Sequence, residues 1–304
     1  MHPEVSIIIV TYRNQETIVP CLTSIRQQVT LPYEVIVVDN SPDNLTALQV
    51  RDFMKTDPRF PITFLEAGQN TGFAKGCNFG AARARGNYFM FLNPDTFLKN
   101  DAARLLADFL KSRPTAGVVG PMILDPAGRV VRTCRNFPTV ARIILDASGL
   151  DRFIGAYVLS RFSHDRPRRV EQVIGACFFL HRRTFMNLKG FDERFFMYLE
   201  EVDFCNRLID SGAEIWFRPE ARVIHWAEVS TRHAESVAQM ILALRHSRSL
   251  YFEKHFARIH QPLLNAVNRL EGLGRGLAFY YLYLCRGQTQ YLEKARGYFN
   301  VLLC

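Results

Sequence analysis

The stretch Tyr88-Phe89-Met90-Phe91-Leu92-Asn93-Pro94-Asp95 decides how this chain is read. Five apolar residues without a turn former predict a strand buried on both faces, as in a sheet covered by helices. Proline cannot donate to a ladder, so the strand ends there and Asp95 is left at its carboxyl end. In open α/β sheets ligands bind at that end. An acid in such a place also suits an Asx-type turn ahead of a helix near Asp101, so Asp95 taken alone leaves both readings open.

Upstream, Val5-Ser6-Ile7-Ile8-Ile9-Val10-Thr11 and Tyr33-Glu34-Val35-Ile36-Val37-Val38 are two more buried strands. Between them Ile18, Leu22 and Ile25 share one face of a helix from about Glu16 to Gln28, with Asn14 in the turn before it. Strand, helix, strand at this spacing is a right-handed parallel βαβ unit. No Gly-x-Gly-x-x-Gly follows the first strand, which argues against a dinucleotide fold of the usual kind. Asp39 also falls at a strand's carboxyl end. It either caps the segment after Pro42 or accepts hydrogen bonds from a ribose or a base edge. A third strand, Ile62-Thr63-Phe64-Leu65, precedes Asn70-Thr71-Gly72-Phe73-Ala74-Lys75-Gly76-Cys77-Asn78-Phe79-Gly80. Asn70 and Thr71 suit a helix cap, and the glycines let backbones approach closely. Lys75, one turn into the helix, either reaches a phosphate or stays solvated.

The bulk numbers narrow the class. With 304 residues, 48% of them apolar, the chain can bury one large core or two modest ones. His2, Pro3 and Glu4 precede a strand, so no secretory signal is expected, and no apolar run approaches the ~18 residues of a membrane span. Seven scattered cysteines without a C-x-x-C pair argue for free thiols in a reducing compartment and against zinc, so a cytoplasmic location is expected. The net charge of +9 is uneven: residues 129–169 carry nine basic residues against three acids, and residues 232–304 carry ten against four. No helix-turn-helix, zinc finger or aromatic RNA-binding signature is present. No nucleic-acid partner is therefore expected, and the basic segments point to anionic lipid or phosphorylated substrate.

Downstream, Ala102 to Leu110 is helical, and Val118-Val119-Gly120-Pro121-Met122-Ile123-Leu124 reads as a strand broken at Gly-Pro. Asp125-Pro126-Ala127-Gly128 is a turn, and the arginine-rich region to Arg169 an irregular excursion over the cleft. Val173 to Leu180 returns to a buried strand. Residues 190–207 then gather aromatics and acids ahead of a helix from about Glu201 to Ser211. Acids suit a helix N-terminus. Glu200, Glu201 and Asp203 also lie among Phe195, Phe196, Tyr198 and Phe204, a setting that desolvates carboxylates and raises their pKa. Asp203 has Arg207 at i, i+4. Two further strands, Ala213 to Phe217 and Arg222 to Trp226, bring the chain to His225, ahead of Ser230-Thr231. Glu235 to Phe256 is an amphipathic helix. Beyond Pro262 the chain is helical again, with a break expected at Gly272 to Gly276. Leu277 to Leu284 is apolar and aromatic between arginines, which suits a membrane interface, packing on the domain, or a second subunit.

Four segments in this order and spacing resemble the family 2 glycosyltransferases, within them the rhamnosyltransferase-like branch. They are Ser6-Ile7-Ile8-Ile9-Val10-Thr11-Tyr12, Val37-Val38-Asp39-Asn40-Ser41, Asn70 to Asn78, and Asn93-Pro94-Asp95. The stretch Phe196-Met197-Tyr198-Leu199-Glu200-Glu201-Val202-Asp203-Phe204-Cys205 is similar to that family's Phe-Met-Tyr-x-Glu-Asp-x-Asp-Leu-Cys motif. The resemblance covers about residues 4–256.

It implies a GT-A fold: one α/β/α sandwich with a mixed, mostly parallel sheet, followed by C-terminal helices. Residues 1–231 would form the catalytic domain, with a nucleotide-binding half (1–100) and an acceptor half (101–231), and residues 232–304 a helical extension. It implies a nucleoside-diphosphate sugar bound by Thr11, Tyr12, Asn14, Asp39, Asn70, Gly72, Phe73, Lys75, Asn78, Asn93 and Asp95. It implies a divalent metal, Mg or Mn, on Asp95 and His225, where Asn93 stands for the first acid of a D-x-D element. Glu201 falls at the general-base position, with Asp203 in reserve. A glutamate in place of aspartate lengthens that arm by one methylene. The activity implied is inverting transfer of a deoxyhexose such as rhamnose to a lipid-linked or polysaccharide acceptor, at the inner face of a cell membrane, with an oligomer possible. The rivals are a sugar-nucleotide-binding scaffold with weakened catalysis and a nucleotidyltransferase. The latter needs a glycine-rich, lysine-containing loop after the first strand, and Tyr12-Arg13-Asn14-Gln15 is not one.

Overall fold

A computed structural model describes residues 2–226, 237–257, 259–300 and 302. Glu228, Val229, Ser230, Thr231 and Glu235, on which part of the sequence reading fell, lie outside the described residues. The elements run β1 (Val5–Thr11), α1 (Ile18–Gln28), β2 (Tyr33–Asp39), α2 (Leu45–Thr56), β3 (Ile62–Glu66), α3 (Phe73–Ala81), β4 (Tyr88–Leu92) and β5 (Thr96–Leu98). Then follow α4 (Ala102–Ser112), β6 (Ala116–Leu124), β7 (Val130–Val131), α5 (Val140–Ala147), α6 (Asp151–Ile154), β8 (Arg168–Val170), β9 (Cys177–His181), α7 (Arg182–Asn187), α8 (Glu200–Asp210) and β10 (Glu214–His225). Three helices close the chain: α9 (Val237–His255), α10 (His260–Arg286) and α11 (Thr289–Asn300).

One mixed sheet organises the molecule, in the order β3-β2-β1-β4-β9-β6-β10-β5, with β7 beside β6 and β8 beside β10. Strands β3, β2, β1 and β4 are parallel, as the βαβ spacing of β1, α1 and β2 predicts. β9 then runs antiparallel to both β4 and β6, and β5 antiparallel to β10. Successive side chains of a strand point to opposite faces, so the apolar runs feed two cores. Ile7, Ile9, Val35, Val37, Met90 and Leu92 face α1, α2 and α4. Ile8, Val10, Ile36, Val38, Phe89 and Phe91 face α3, Phe185, Phe191 and Phe204.

Several local expectations are corrected. β6 continues through Gly120-Pro121: β9 pairs only with Val118 and Val119, so on that side no ladder bond is demanded of the proline. Residues 214–225 form one strand, not two, because a bulge between Arg218 and Arg222 absorbs the irregularity while pairing to β6 resumes at Met122. The strand expected at Val173 to Leu180 pairs only from Cys177. Asn70 and Thr71 do not cap α3. The cap is Gly72 at φ +83°, while Asn70 Oδ1 accepts the Gly72 N–H and Thr71 Oγ1 donates to Asn40. Nor does Asp39 cap α2, whose N-cap is Asn44. α9 is gripped from several sides instead of presenting one apolar face: Ser247 is buried and Leu242 is exposed. α10 runs unbroken through Gly272 and Gly276, because those positions pass against the Arg245 guanidinium and the Phe299 ring, where a side chain has no room.

The seating of α3 on the sheet is tight enough to test. A methyl at Gly80 would lie 2.7 Å from Ile8 Cγ2 and 3.1 Å from Val38 Cγ2. Gly80→Ala is expected to lower stability by about 1–3 kcal/mol. Urea unfolding should show a lower midpoint at unchanged slope.

Candidate active site

The carboxyl ends of β1 and β2 build a polar shelf. Asp39 is buried, and its Oδ1 accepts from Thr11 Oγ1 at 2.9 Å and from Ser41 N at 3.0 Å. Those bonds fix the carboxylate and leave Oδ2 for a ligand. Asn14 Oδ1 accepts from Tyr12 N at 2.8 Å, closing the turn in which Arg13 takes φ +56°. Next to it, Asn40 Nδ2 donates to Gly72 O at 2.9 Å, binding the 70–73 loop to the end of β2. Lys75 is exposed on α3, with no ion pair among the described residues. Asn78 is turned away from the shelf: its amide donates to Phe191 O and accepts from Phe191 N, at 2.8 and 3.0 Å. It works as a staple between α3 and the acidic segment.

Asp95 follows β4 in a turn where Thr96 N bonds Asn93 O. β5, an element that sequence reasoning missed, then pairs with the end of β10 so that His225 lies opposite Thr96. That register sets His225 Nε2 3.2 Å from Asp95 Oδ1 and 3.5 Å from Asn93 Nδ2. Asp95 itself is fully buried. A carboxylate oxygen and an imidazole nitrogen this close pair directly, and the same two groups are the donor types that would hold a divalent ion. No cluster of three or more His, Cys, Asp or Glu is found among the described residues, so the remaining positions would fall to water and substrate phosphate.

Glu201 reaches the same edge of the sheet from the other side. Asn93 N donates to Ala176 O at 3.0 Å, and a Cβ on the adjoining Gly175 would sit 3.6 Å from Glu201 Cδ. Gly175 is thus the floor under the carboxyl, in ordinary van der Waals reach of it. Burial pushes the Glu201 carboxyl up, against backbone N–H groups including those of Gly175 and Val202 and the charge of Arg135. Glu200 is pushed up much further, by burial and then by the charge of Glu201. Of these two adjacent desolvated carboxyls, Glu201 is the one with the countercharge of Arg135 beside it. The segment before it is strained: Tyr198 and Leu199 both have positive φ, at 72° and 67°. Phe73 N holds Phe196 O at 2.8 Å and Ser247 Oγ holds Met197 O at 2.8 Å, so loop, donor shelf and α9 are locked together.

The family model for glycosyl transferase family 2 matches residues 6–185. The chain belongs to that family. It is 28% identical over 249 residues to an N-acetylglucosaminyl-diphospho-decaprenol L-rhamnosyltransferase of Mycobacterium tuberculosis, covering 74% of this chain and 76% of that protein. It is 25% identical over 243 residues to the rhamnosyltransferase WbbL of Escherichia coli, covering 75% of this chain and 85% of that one. Among solved structures it matches the mannosyltransferase PcManGT from Pyrobaculum calidifontis, in complex with GDP-Man and Mn2+, with a TM-score of 0.58 at 16% identity. That match covers 100% of this chain and 81% of the other. The fold is GT-A, and within family 2 the chain is rhamnosyltransferase-like.

In this glycosyltransferase Asp203 is tied into a cluster of basic side chains that does not include Glu201. It is fully buried: Arg207 Nε donates to Oδ2 at 2.9 Å, the i, i+4 pair its spacing implies, while Lys254 Nζ and His255 Nε2 both sit 2.7 Å from Oδ1. Burial alone would raise this carboxyl; the bonds from His255 and Lys254 outweigh it and hold the group below its ordinary value. A carboxylate held this way is a poor proton acceptor and a good anchor of α8 to α9. Lys254 and His255 were legible only as polar residues beside an apolar stripe; Ser247 carried no signal.

Removing one partner from a buried charge cluster costs about 3 kcal/mol, so Asp203→Asn should destabilise by that order. Because the folded pKa is depressed, the wild-type advantage is complete above about pH 4 and is lost as pH falls through the folded value. Urea midpoints of the two proteins should therefore converge in acid.

Proposed function

We propose that this family 2 glycosyltransferase is metal-dependent and inverting. It moves a deoxyhexose such as rhamnose from a nucleoside diphosphate to a lipid-linked or polysaccharide acceptor, in cell-wall or surface-glycan assembly at the inner face of the membrane. The observation that carries the reading is the Asp95–His225 pair just past the end of β4, with Glu201 against Gly175, next to the Ala176 carbonyl that accepts from Asn93 N. The rhamnosyltransferase relatives support the choice of sugar and the lipid-linked acceptor.

Asp39 takes the nucleoside hydroxyls or base edge through Oδ2, and Thr11, Tyr12, Asn14, Asn70, Gly72 and Phe73 shape the walls around it. Asp95 and His225 would hold a divalent cation, which when bound would neutralise the charge that grows on the departing diphosphate. Lys75, exposed in the first turn of α3, would add a second positive charge to that leaving group. Glu201 accepts the proton of the acceptor hydroxyl as that oxygen attacks the anomeric carbon from the face opposite the diphosphate. One displacement inverts the centre. Glu200 lies beside Glu201, its carboxyl pushed well up by burial and then by the charge of that neighbour.

The pH profile tests the base. Glu201 acts unprotonated and its pKa is raised, so the acid limb of kcat/KM should lie above the ordinary carboxylate value of about 4.3, with activity rising as pH rises through it. Glu201→Gln should lower kcat by about 10²- to 10⁴-fold with donor affinity nearly unchanged. Turnover at the wild-type rate would remove Glu201 from the mechanism, and absence of turnover in both proteins despite donor binding would favour a scaffold.

Donor and metal are read separately by thermal shift. A thymidine-diphosphate sugar with Mg²⁺ or Mn²⁺, at about 100-fold its Kd, should raise Tm by about 5 °C. Asp95→Ala should abolish the metal-dependent part. A uridine preference would change the sugar assigned, and equal shifts without metal would count against Asp95 and His225 as ligands.

A further inference from the structure

α10 spans 27 residues, about 40 Å. One side is buried: Leu264, Val267, Gly272 and Gly276 pack inward. The opposite side carries Leu263, Leu270, Leu277 and Leu284 at every seventh position, exposed by 51%, 69%, 54% and 64%, with Leu273 and Tyr281 beside them. A leucine face of this length turned to solvent is a contact surface.

Its charges say what it contacts. The exposed positions of α10 include Arg269 and Arg286 and no carboxylate. Glu271, the acid of this helix, is turned inward to Arg248 and Arg275 at 2.7 and 3.0 Å. α5 packs Val140 and Ile143 against Leu264 and Val267, and leaves Ile144 exposed. The adjoining α6 exposes Phe153 and Ile154, with Arg152 4.5 Å over the Phe153 ring and Arg161 Nε bonding Phe153 O at 3.0 Å. The two basic segments that lie about a hundred residues apart in the chain are thereby brought onto adjoining helices, both with exposed apolar side chains. A second copy of the chain would set arginine against arginine, with a net charge of +9 on each partner and no acid on the outer face of α10 to answer it. An anionic lipid surface answers both the charge and the leucines. Tyr280 and Tyr281 suit the headgroup level, with an apolar ring and a polar tip.

We infer that the outer face of α10, with α5 and α6 alongside, seats this protein in the interfacial layer of an anionic bilayer, with the helix axis in the membrane plane. No helix among the described residues is long and apolar enough to cross a membrane, so the contact is peripheral. The inference goes beyond the transferase reading and is tested without donor or acceptor, so either can fail while the other stands.

The experiment is flotation of the full chain with vesicles of phosphatidylcholine alone, or with about one-third phosphatidylglycerol. Binding to the anionic vesicles should be at least about tenfold stronger and should weaken as salt is added. Leu270→Ser with Leu277→Ser should lower partitioning more than about tenfold. Arg269→Glu with Arg152→Glu should remove the preference for anionic vesicles, the circular dichroism of both variants staying that of the parent. Tyr281→Trp should show a blue-shifted emission on anionic vesicles, and this readout decides alone if the leucine variant fails to fold. Absence of that shift, or variants that float like the parent, overturns the inference. A dimer in sedimentation velocity that the leucine changes dissociate, with vesicle binding unaltered, overturns it in favour of a second copy.

Discussion

Asp95 is a fully buried carboxylate that faces an imidazole nitrogen at 3.2 Å, and the architecture around it follows from that constraint. Burying an ionised carboxyl costs several kcal/mol unless a partner meets it. His225 comes from 130 positions away. It arrives because β10 keeps its pairing to β6 through a bulge and then turns its last residues onto β5. The three residues of β5 thus matter more than their length suggests: they set the register of the histidine against the aspartate. Asn93, between them, lends an amide where a second acid would add charge.

The second acid is built on a different principle. Glu201 is desolvated at the start of α8, which pushes its carboxyl up, while backbone amides and the charge of Arg135 oppose that rise. The two left-handed residues before it cost on the order of 1–3 kcal/mol each. Bonds from the donor loop and from α9 hold them in place. Asn78 and the close approach of Gly72 to Phe196 serve the same end, since they tie the 70–73 loop and α3 to the segment before α8. The C-terminal helices are tied in there as well: Tyr251 and Phe252 share a core with Phe195, Leu199 and Val202.

Where sequence reading and structure part, the cause is a neighbour in space. Gly120-Pro121 breaks a strand only where a ladder bond is needed on both sides, and β9 has already departed there. Gly272 and Gly276 end a helix in isolation, yet here they are the surface on which Arg245 and Phe299 pack. Asp203 and Arg207 were legible as a pair because their spacing is local. Lys254 and His255, about fifty residues on, complete the same cluster and convert a reserve base into a structural anchor.

The chain's own order of residues determined the buried parallel strands β1, β2 and β4, because a strand covered on both faces must be continuously apolar. It also determined that Asp39 and Asp95 stand at strand ends, because a polar or proline residue closes each run. Only the tertiary structure decided what those acids do. The partner of Asp95, the floor and countercharge of Glu201, and the Lys254 and His255 partners of Asp203 all come from segments far away in the chain. A pKa or a ligand geometry is set by distances of about 3 Å, which one-dimensional spacing does not encode.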